Sequence, residues 1–351
     1  MFELYKEKRV FLTGNTGFKG SWMAYWLQKI GAEVVGYALP PNTEPNHFSL
    51  LNADYNTYFN DVRDLETLSK VMYEFKPEIV FHLAAQPLVR YSYHNPIETY
   101  STNVMGTLNV MEAARYCESV KAILVITTDK CYENVEQNEG YIETDRMGGF
   151  DPYSSSKGCA ELAVSSYRNS FFNIKDYNNK HQTLLASARA GNVIGGGDWS
   201  IDRLIPDLIK SALKGEKANI RYPNATRPWQ HVLDPISGYL MLGQKLLNGE
   251  KDFAEGWNFG PEENEILTVG EVLEIAKNIW DKINYEVDVR NEHVHEAGLL
   301  SLNIDKAKIK LGWNPKWKNE VSIQKTIEWY KEFNHSSKII TEDQLNQYII
   351  I

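Results

Sequence analysis

Cysteine is scarce: the 351 residues contain three, Cys117, Cys131 and Cys159. Their number is odd and no Cys-x-x-Cys spacing occurs, so neither a disulfide framework nor a thiolate zinc site is indicated, and a reducing compartment, the cytoplasm, is expected. Lys/Arg-rich runs are missing too, and the formal net charge is -9, which gives nucleic acid no electrostatic footprint. Long apolar runs are absent. The N-terminus carries Glu3, Lys6, Glu7, Lys8 and Arg9 and then a short apolar stretch, too short for a signal peptide or a membrane span. No His/Cys/Asp cluster has metal-ligand spacing, so no metal is expected. No internal repeat or low-complexity tract appears. What remains is the composition of a globular protein, 43% hydrophobic and 24% charged, long enough for a large core and two lobes.

The first half alternates short apolar runs with amphipathic stretches. Strand-like runs are Val10–Leu12, Val34–Ala38, Ile79–Ala84, Ile123–Thr127 and Leu184–Arg189. The rhythm predicts an α/β fold: a doubly wound, parallel, Rossmann-type sheet with a smaller C-terminal α/β lobe. The expected division is 1–190 for a dinucleotide-binding domain, with 230–262 returning to it through a strand at Trp257–Gly260. Residues 191–229 and 263–351 are left for the second lobe. Within that lobe Gly195–Trp199 reads as loop and Leu204–Lys214 as helix. Two helical stretches carry apolar stripes, Tyr100, Val104, Leu108 and Met111 on one, and Leu162, Ala163, Tyr167 and Phe171 on the other. They face either the core or a second subunit. The tail Tyr348–Ile351 has no role assigned by pattern.

Thr13-Gly14-Asn15-Thr16-Gly17-Phe18-Lys19-Gly20 follows the first strand and opens a helix. Its Gly-x-x-Gly-x-x-Gly spacing permits a tight turn, a close approach of backbone to pyrophosphate, and tight helix–sheet packing. The pyrophosphate is then expected on amides at the positive helix end. The second strand ends Ala38-Leu39-Pro40-Pro41, where an acidic partner for the ribose 2′-hydroxyl is usual. No Lys or Arg replaces it, so NAD is favoured over NADP. Asp61 and Val62 either contact adenine or form an ordinary strand end.

Tyr153-x-x-x-Lys157 places an ammonium one helical turn from a phenol. Opposite charge favours the phenolate, so the Tyr153 proton is expected to come off more easily than its usual pKa of ~10 implies. Such a pair can remove a proton from a substrate hydroxyl beside a nicotinamide. Thr128, Asp129 and Lys130 end a buried strand, whose carboxyl end faces the ligand crevice in doubly wound folds. Thr128 can then hydrogen-bond the oxygen that Tyr153 deprotonates. Alternatively the three form a strand-end cap with a solvated ion pair.

These strings resemble the extended short-chain dehydrogenases/reductases that act on nucleotide sugars, over essentially the whole chain. The resemblance rests on the Thr13–Gly20 fingerprint, His82-Leu83-Ala84-Ala85, Asn103 and Tyr153-x-x-x-Lys157. Finer strings are similar to the branch that dehydrates CDP-glucose. They are Gly17–Trp22, Ala85-Gln86-Pro87-Leu88-Val89-Arg90, Thr128–Tyr132, Asp151–Ser154, Arg189–Trp199 and Arg227-Pro228-Trp229-Gln230-His231-Val232. The resemblance implies NAD, bound tightly and regenerated each turnover, held by Gly14, Thr16, Gly17, Phe18, Gly20, Asp61, Val62, Ala84, Ala85, Asn103, Tyr153 and Lys157. Asn103 is expected to order a helix break and a water beside Lys157. The implied partner is a nucleotide-diphosphate sugar, CDP-glucose favoured, touched by Gln86, Arg90, Asn192, Arg203, Arg227 and His231, with His295-Glu296 as a late contact. A homodimer is expected, or a homotetramer.

The implied reaction is oxidation at C4, loss of water across C5 and C6, and return of hydride to C6. Tyr153 removes the 4-hydroxyl proton, Asp129 serves as acid toward the 6-hydroxyl, and Lys130 as base toward C5. An adjacent ion pair lowers the proton affinity of the Asp and raises that of the Lys, opposite to both roles. Burial on substrate closure restores the balance, or Lys130 instead stabilises the enolate as a cation. A 4-epimerase or reductase needs Tyr153 and the cofactor but not the 129–130 pair, and a dTDP- or GDP-sugar 4,6-dehydratase differs only in the base. A dinucleotide-sensing protein without catalysis has no use for Thr128, Tyr153 and Lys157 together.

Overall fold

The computed structural model describes residues 2–265, 267–287 and 299–350. Its centre is a seven-stranded sheet, all of whose pairings are parallel. In chain order the strands are β1 (Arg9–Thr13), β2 (Glu33–Ala38), β3 (Asn56–Phe59), β4 (Ile79–His82), β5 (Ala122–Ile126), β6 (Leu184–Ala190) and the late strand Gly256–Phe259. Their spatial order is Gly256–Phe259, β6, β5, β4, β1, β2, β3. The chain reverses direction between β1 and β4, which opens a crevice beyond their carboxyl ends.

Central strands buried on both faces read as near-continuous apolar runs; β5 does so throughout, while β1, β4 and β6 also carry polar or charged residues. The late strand pairs with β6 at the sheet edge, as expected from sequence. β3 was not legible: it is an edge strand of sequence Asn-Thr-Tyr-Phe, largely exposed, and has no apolar run to betray it. The expected strand at 79–84 stops at His82 because Leu83 and Ala84 turn their amides onto the Thr13 hydroxyl, at 3.1 and 3.2 Å.

The helical stretch expected to carry Tyr100, Val104, Leu108 and Met111 is three pieces: Pro96–Tyr100, a wide π-turn at Ser101–Met105, and Gly106–Arg115. Of its stripe, Met111 is buried in the core while Tyr100, Val104 and Leu108 are half-buried. On the helix Pro152–Ser170, Leu162 and Phe171 are exposed and Ala163 and Tyr167 half-buried. The two helices also expose Ile97 and Met105.

The larger hydrophobic core runs without a break from Phe2 and Trp22 under the sheet to Trp313, Trp329 and Tyr348. Leu204–Lys214 forms the helix expected there. The C-terminal helices Asn319–Ser336 and Thr341–Ile350 are stapled to the rest by buried polar bonds. Tyr348 donates to Asp234 at 2.8 Å, Trp329 to Thr341 at 3.0 Å, and Tyr330 to the Asp198 carbonyl at 2.6 Å. The tail therefore has a structural role. The loop Gly195–Trp199 is clamped from both sides, because the Trp22 indole donates to the Gly196 carbonyl at 2.9 Å and the Trp329 ring fills the space where a side chain at Gly196 would stand.

Trp329→Ala would leave a large cavity against that loop. It should cost about 3–5 kcal/mol of unfolding free energy, read as a lowered denaturation midpoint in urea, whereas an exposed change such as Ile309→Ala should leave the midpoint nearly unchanged.

Candidate active site

The helix α1 (Phe18–Lys29) follows β1 through the glycine turn. Gly14 has φ +73°, and a Cβ there would stand 2.6 Å from the Ala84 nitrogen. A Cβ on Gly20 would stand 2.1 Å from the Gly14 carbonyl oxygen. Both positions therefore require glycine, and the turn keeps its backbone bare toward the crevice. Thr16 donates to the Leu39 carbonyl at 2.8 Å, closing the corner where Pro40 replaces the usual acid.

A polar chain links this turn to β4. The Thr13 hydroxyl donates to His82 Nδ1 at 2.7 Å, His82 Nε2 donates to Thr107 at 3.0 Å, and Thr107 donates to the Asn103 carbonyl at 2.7 Å. Burial pushes the His82 pKa down to about 3, so the ring is neutral and serves the core. The π-turn aims Asn103 inward. Its Oδ1 accepts from the Gln86 amide at 2.8 Å, and its Nδ2 donates to the Gln86 carbonyl at 3.0 Å and to Ser156 at 2.8 Å. Ser156 in turn donates to the Tyr153 carbonyl at 2.7 Å. Asn103 thus sits at a helix irregularity, but it is fully buried and absent from the cavity wall. It holds the loop after β4 against the helix that carries Tyr153.

That helix begins at Pro152 behind an Asp151 cap, whose carboxylate accepts from the Ser154 amide at 2.9 Å. Tyr153 stands in the first turn at the crevice, and its amide donates to Ser92 at 3.1 Å. Lys157 donates to the Ile126 carbonyl at 3.4 Å, at the end of β5. Burial pulls the Lys157 pKa down to about 8, against the opposing Glu161 charge. Burial also pushes Tyr153 up to about 12, against a hydrogen bond with Thr128. This reverses the sequence expectation for the phenol: desolvation raises it more than the Thr128 hydrogen bond lowers it.

Past β5, Thr128 donates to Asp129 Oδ1 at 2.8 Å, and the chain makes a tight turn over Asp129–Cys131. Asp129 is 1% exposed and its Oδ2 has no hydrogen-bond partner. The carboxylate lies on Gly191, where a Cβ would come within 1.9 Å of Oδ2. Behind it, Glu161 accepts from Thr127 at 2.5 Å, from Ser187 at 2.8 Å and from Arg189 at 2.8 Å.

Thr128, Asp129, Lys130, Tyr153 and Lys157 line one cavity of about 1360 Å³, together with Gly14, Thr16, Gly17, Phe18, Gly20, Asp61, Val62, Ala84 and Ala85. A pocket for a single small ligand has roughly 300–1,000 Å³, so the space suits two. Asp61 turns its carboxylate to Arg63, with Nε at 3.0 Å. Gln86, Arg90, Asn192, Arg203 and Arg227 also line the cavity. Gln86 spends its amide on its own loop, to Leu88 and Thr99. Arg90 bridges to Asp202 at 3.4 Å across the cavity, and Arg203 pairs with Asp198 at 2.9 Å. His231 does not reach the cavity. It is fully buried, with Trp22 and Trp317 edge-on at 5.8 and 4.6 Å, and its Nδ1 accepts from the Leu233 amide at 3.3 Å. Aromatic packing, not a ligand, accounts for that histidine. His295 and Glu296 lie outside the described residues.

Two wall residues, Lys19 and Gly191, carried no role in the sequence reading beyond membership of longer strings. A lysine inside an otherwise apolar helix start was the available signal for the first. The described residues contain no cluster of His, Cys, Asp and Glu able to hold a metal, and no helix long and apolar enough to cross a membrane. The glycine turn without room for side chains, the amides opening α1, and the adjoining crevice fit a dinucleotide.

Comparison with known proteins agrees with this geometry. A CDP-glucose 4,6-dehydratase of Salmonella typhimurium is 50% identical over 330 residues, 93% of this chain and 91% of that protein. The Thermus thermophilus UDP-glucose 4-epimerase, solved with NAD, superposes with TM-score 0.79 at 24% identity, covering 92% of this chain and 99% of that one. A Streptomyces venezuelae dTDP-glucose 4,6-dehydratase, also solved with NAD, gives TM-score 0.76 at 21% identity over 92% and 97%. These two solved structures establish the fold. Residues 11–326 match the family described as GDP-mannose 4,6 dehydratase, and the chain belongs to that family.

Proposed function

We propose that this enzyme dehydrates CDP-glucose to its 4-keto-6-deoxy sugar, with NAD as a resident cofactor. The observation that carries the reading is the convergence of Thr128, Asp129, Lys130, Tyr153 and Lys157 on the wall of one cavity with the glycine turn, in a chain 50% identical to a CDP-glucose 4,6-dehydratase. Gly14, Thr16, Gly17, Phe18 and Gly20 would hold the pyrophosphate end of NAD, and Tyr153 and Lys157 its reactive end. When bound, NAD supplies the acceptor for hydride from C4 and the donor of hydride to C6. The missing 2′-phosphate partner at Pro40 supports NAD over NADP.

The side chains divide the remaining work. Tyr153 takes the proton of the 4-hydroxyl, and Thr128 orients that oxygen. The 4-ketone acidifies the hydrogen on C5. Lys130 removes that proton or stabilises the resulting enolate by charge. Asp129 protonates the departing 6-oxygen, which leaves as water. Its Oδ2, shielded from solvent and without a hydrogen-bond partner in the protein, is the atom left to meet that oxygen. The proton then returns to C5. Arg203 and Arg227, both on the cavity wall, would meet the substrate diphosphate by exchanging intramolecular partners for phosphate oxygens.

The same reading assigns residues 1–190 and 230–262 to the dinucleotide and 191–229 and 263–351 to the nucleotide sugar. It also includes a homodimer through the exposed faces around Ile97, Met105 and Leu162, and residence in the cytoplasm.

Purified protein with NAD and CDP-glucose should form an alkali-absorbing keto-sugar without net NADH. No product from CDP-, dTDP-, UDP- or GDP-glucose would end the dehydratase reading. Lys130→Ala should still oxidise C4 but stall before water loss, so protein-bound NADH should build up, while unchanged product formation removes Lys130 from the chemistry. Gly191→Ala should displace Asp129 and lower turnover by about 100-fold, the scale of a 1 Å misplacement. The check is turnover beside a thermal melt, and full activity in a folded variant would show that the Asp129 position is not critical.

A further inference from the structure

The three-residue turn that carries Asp129 and Lys130 does little to hold itself. Its own hydrogen bonds run from the Lys130 amide to the Thr128 hydroxyl, from the Cys131 amide to the Thr128 carbonyl, and from the Tyr132 amide to the Asp129 carbonyl. Each is 3.4 Å long, beyond the roughly 2.7–3.2 Å of ordinary N–H···O bonds. Shorter bonds lie at its two ends. At the entry, the Thr127 amide donates to the Ala188 carbonyl of β6 at 2.8 Å, and the Thr127 hydroxyl donates to Glu161 at 2.5 Å. At the exit, the Cys131 carbonyl accepts from the Gly148 amide at 2.8 Å. Just beyond it, the Tyr132 hydroxyl accepts from Arg189 at 2.6 Å and donates to Asn258 Oδ1 at 2.8 Å. The Tyr132 ring is stacked on Tyr141 with centroids 5.2 Å apart, and Asn258 is fixed in turn by donating to the Tyr141 carbonyl at 2.8 Å.

The two ends meet in one buried ion pair. Arg189 donates to Glu161 Oε2 at 2.8 Å, so Glu161 grips the entry directly and the exit through Arg189. Two residues beyond Arg189, Gly191 forms the floor against which the Asp129 carboxylate rests. Tyr132 lines the cavity, but its hydroxyl is spent, because its one hydrogen goes to Asn258 and Arg189 takes up a lone pair. It is not a second base; what it supplies is position.

We propose that Tyr132 is a positioning residue for the loss of water. Tied through Arg189 to Glu161, it fixes where Asp129 and Lys130 stand relative to C6 and C5. This rests on the dehydratase reading above. Oxidation at C4 makes no such demand on the exit of the turn. Tyr153 and Lys157 are set by their own helix, and Thr128 follows Thr127, which the sheet already holds. The tether therefore serves the second step of the reaction and not the first.

The test compares full-length wild type, Tyr132→Phe and Arg189→Lys, each loaded with NAD and mixed with CDP-glucose. Tyr132→Phe keeps the ring and its stack but removes the tether. Arg189→Lys keeps a charge opposite Glu161 but loses the fork that also reaches Tyr132. In both variants bound NADH should form within about threefold of the wild-type rate, while keto-sugar should appear at least about tenfold more slowly, part of the ~100-fold that a 1 Å misplacement costs. NADH should therefore accumulate on the variants and decay as product forms. A purely scaffolding role would slow both steps together beside a lowered melt, and that result would overturn the proposal, as would wild-type product formation in folded Tyr132→Phe. Hydrogen exchange reads the tether without turnover. In wild type the Cys131 and Tyr132 amides should exchange slowly, and in Tyr132→Phe a rise should be confined to residues 129–132. Fast exchange of both amides in wild type would overturn the proposal even if neither variant folds. Failure of wild type on every nucleotide sugar sinks the dehydratase reading instead, and the exchange arm still reports on the turn.

Discussion

The structure depends on how charge is kept out of water at the carboxyl ends of β5 and β6. Asp129, Lys157, Glu161 and Arg189 are all nearly inaccessible there. Isolated, each would cost several kcal/mol to bury. The cost is met by dense local bonding: Glu161 accepts from Thr127, Ser187 and Arg189, and Arg189 also donates to Tyr132 at 2.6 Å. The groups facing the cavity are left less satisfied. Burial without full pairing in front is what moves Tyr153, Lys157 and Lys19 away from their ordinary proton affinities, desolvation being the largest cause for each.

Scaffold and site are joined through few residues. Asn103 and His82 tie the glycine turn, the loop after β4 and the Tyr153 helix into one hydrogen-bonded unit. On the far side, Trp22, Trp329 and Tyr330 grip Gly195–Asp198, so the loop that leads to Arg203 is set by the C-terminal helices. A site between two such supports can keep its geometry while ligands come and go.

Much of this was legible in the sequence where a local rule applies. Apolar runs gave the central strands, and Gly14 and Gly20 gave the turn, because no side chain fits at either position. Tyr153 and Lys157 share a face because a helix repeats every 3.6 residues. What was not legible depends on neighbours distant in sequence. β3 hides because an edge strand buries little. His231 looked like a ligand contact, and only the rings of Trp22 and Trp317 place it in the core. The phenol was expected to lose its proton more easily beside the ammonium, and burial instead raises its pKa; sequence could not show how deeply the pair is desolvated. Lys19 escaped for the same reason: its lowered proton affinity comes from burial and from the charges of Arg203 and Lys157, all distant in sequence.

An elimination that conserves its own hydrogen distinguishes this chemistry from epimerisation or simple oxidation on the same scaffold. The most direct measurement is to supply CDP-glucose deuterated at C4 and locate the label in product. The account expects deuterium at C6 of the 4-keto-6-deoxy sugar, with solvent hydrogen entering only at C5. Deuterium retained at C4 of an intact sugar, or released from the sugar altogether, would contradict it.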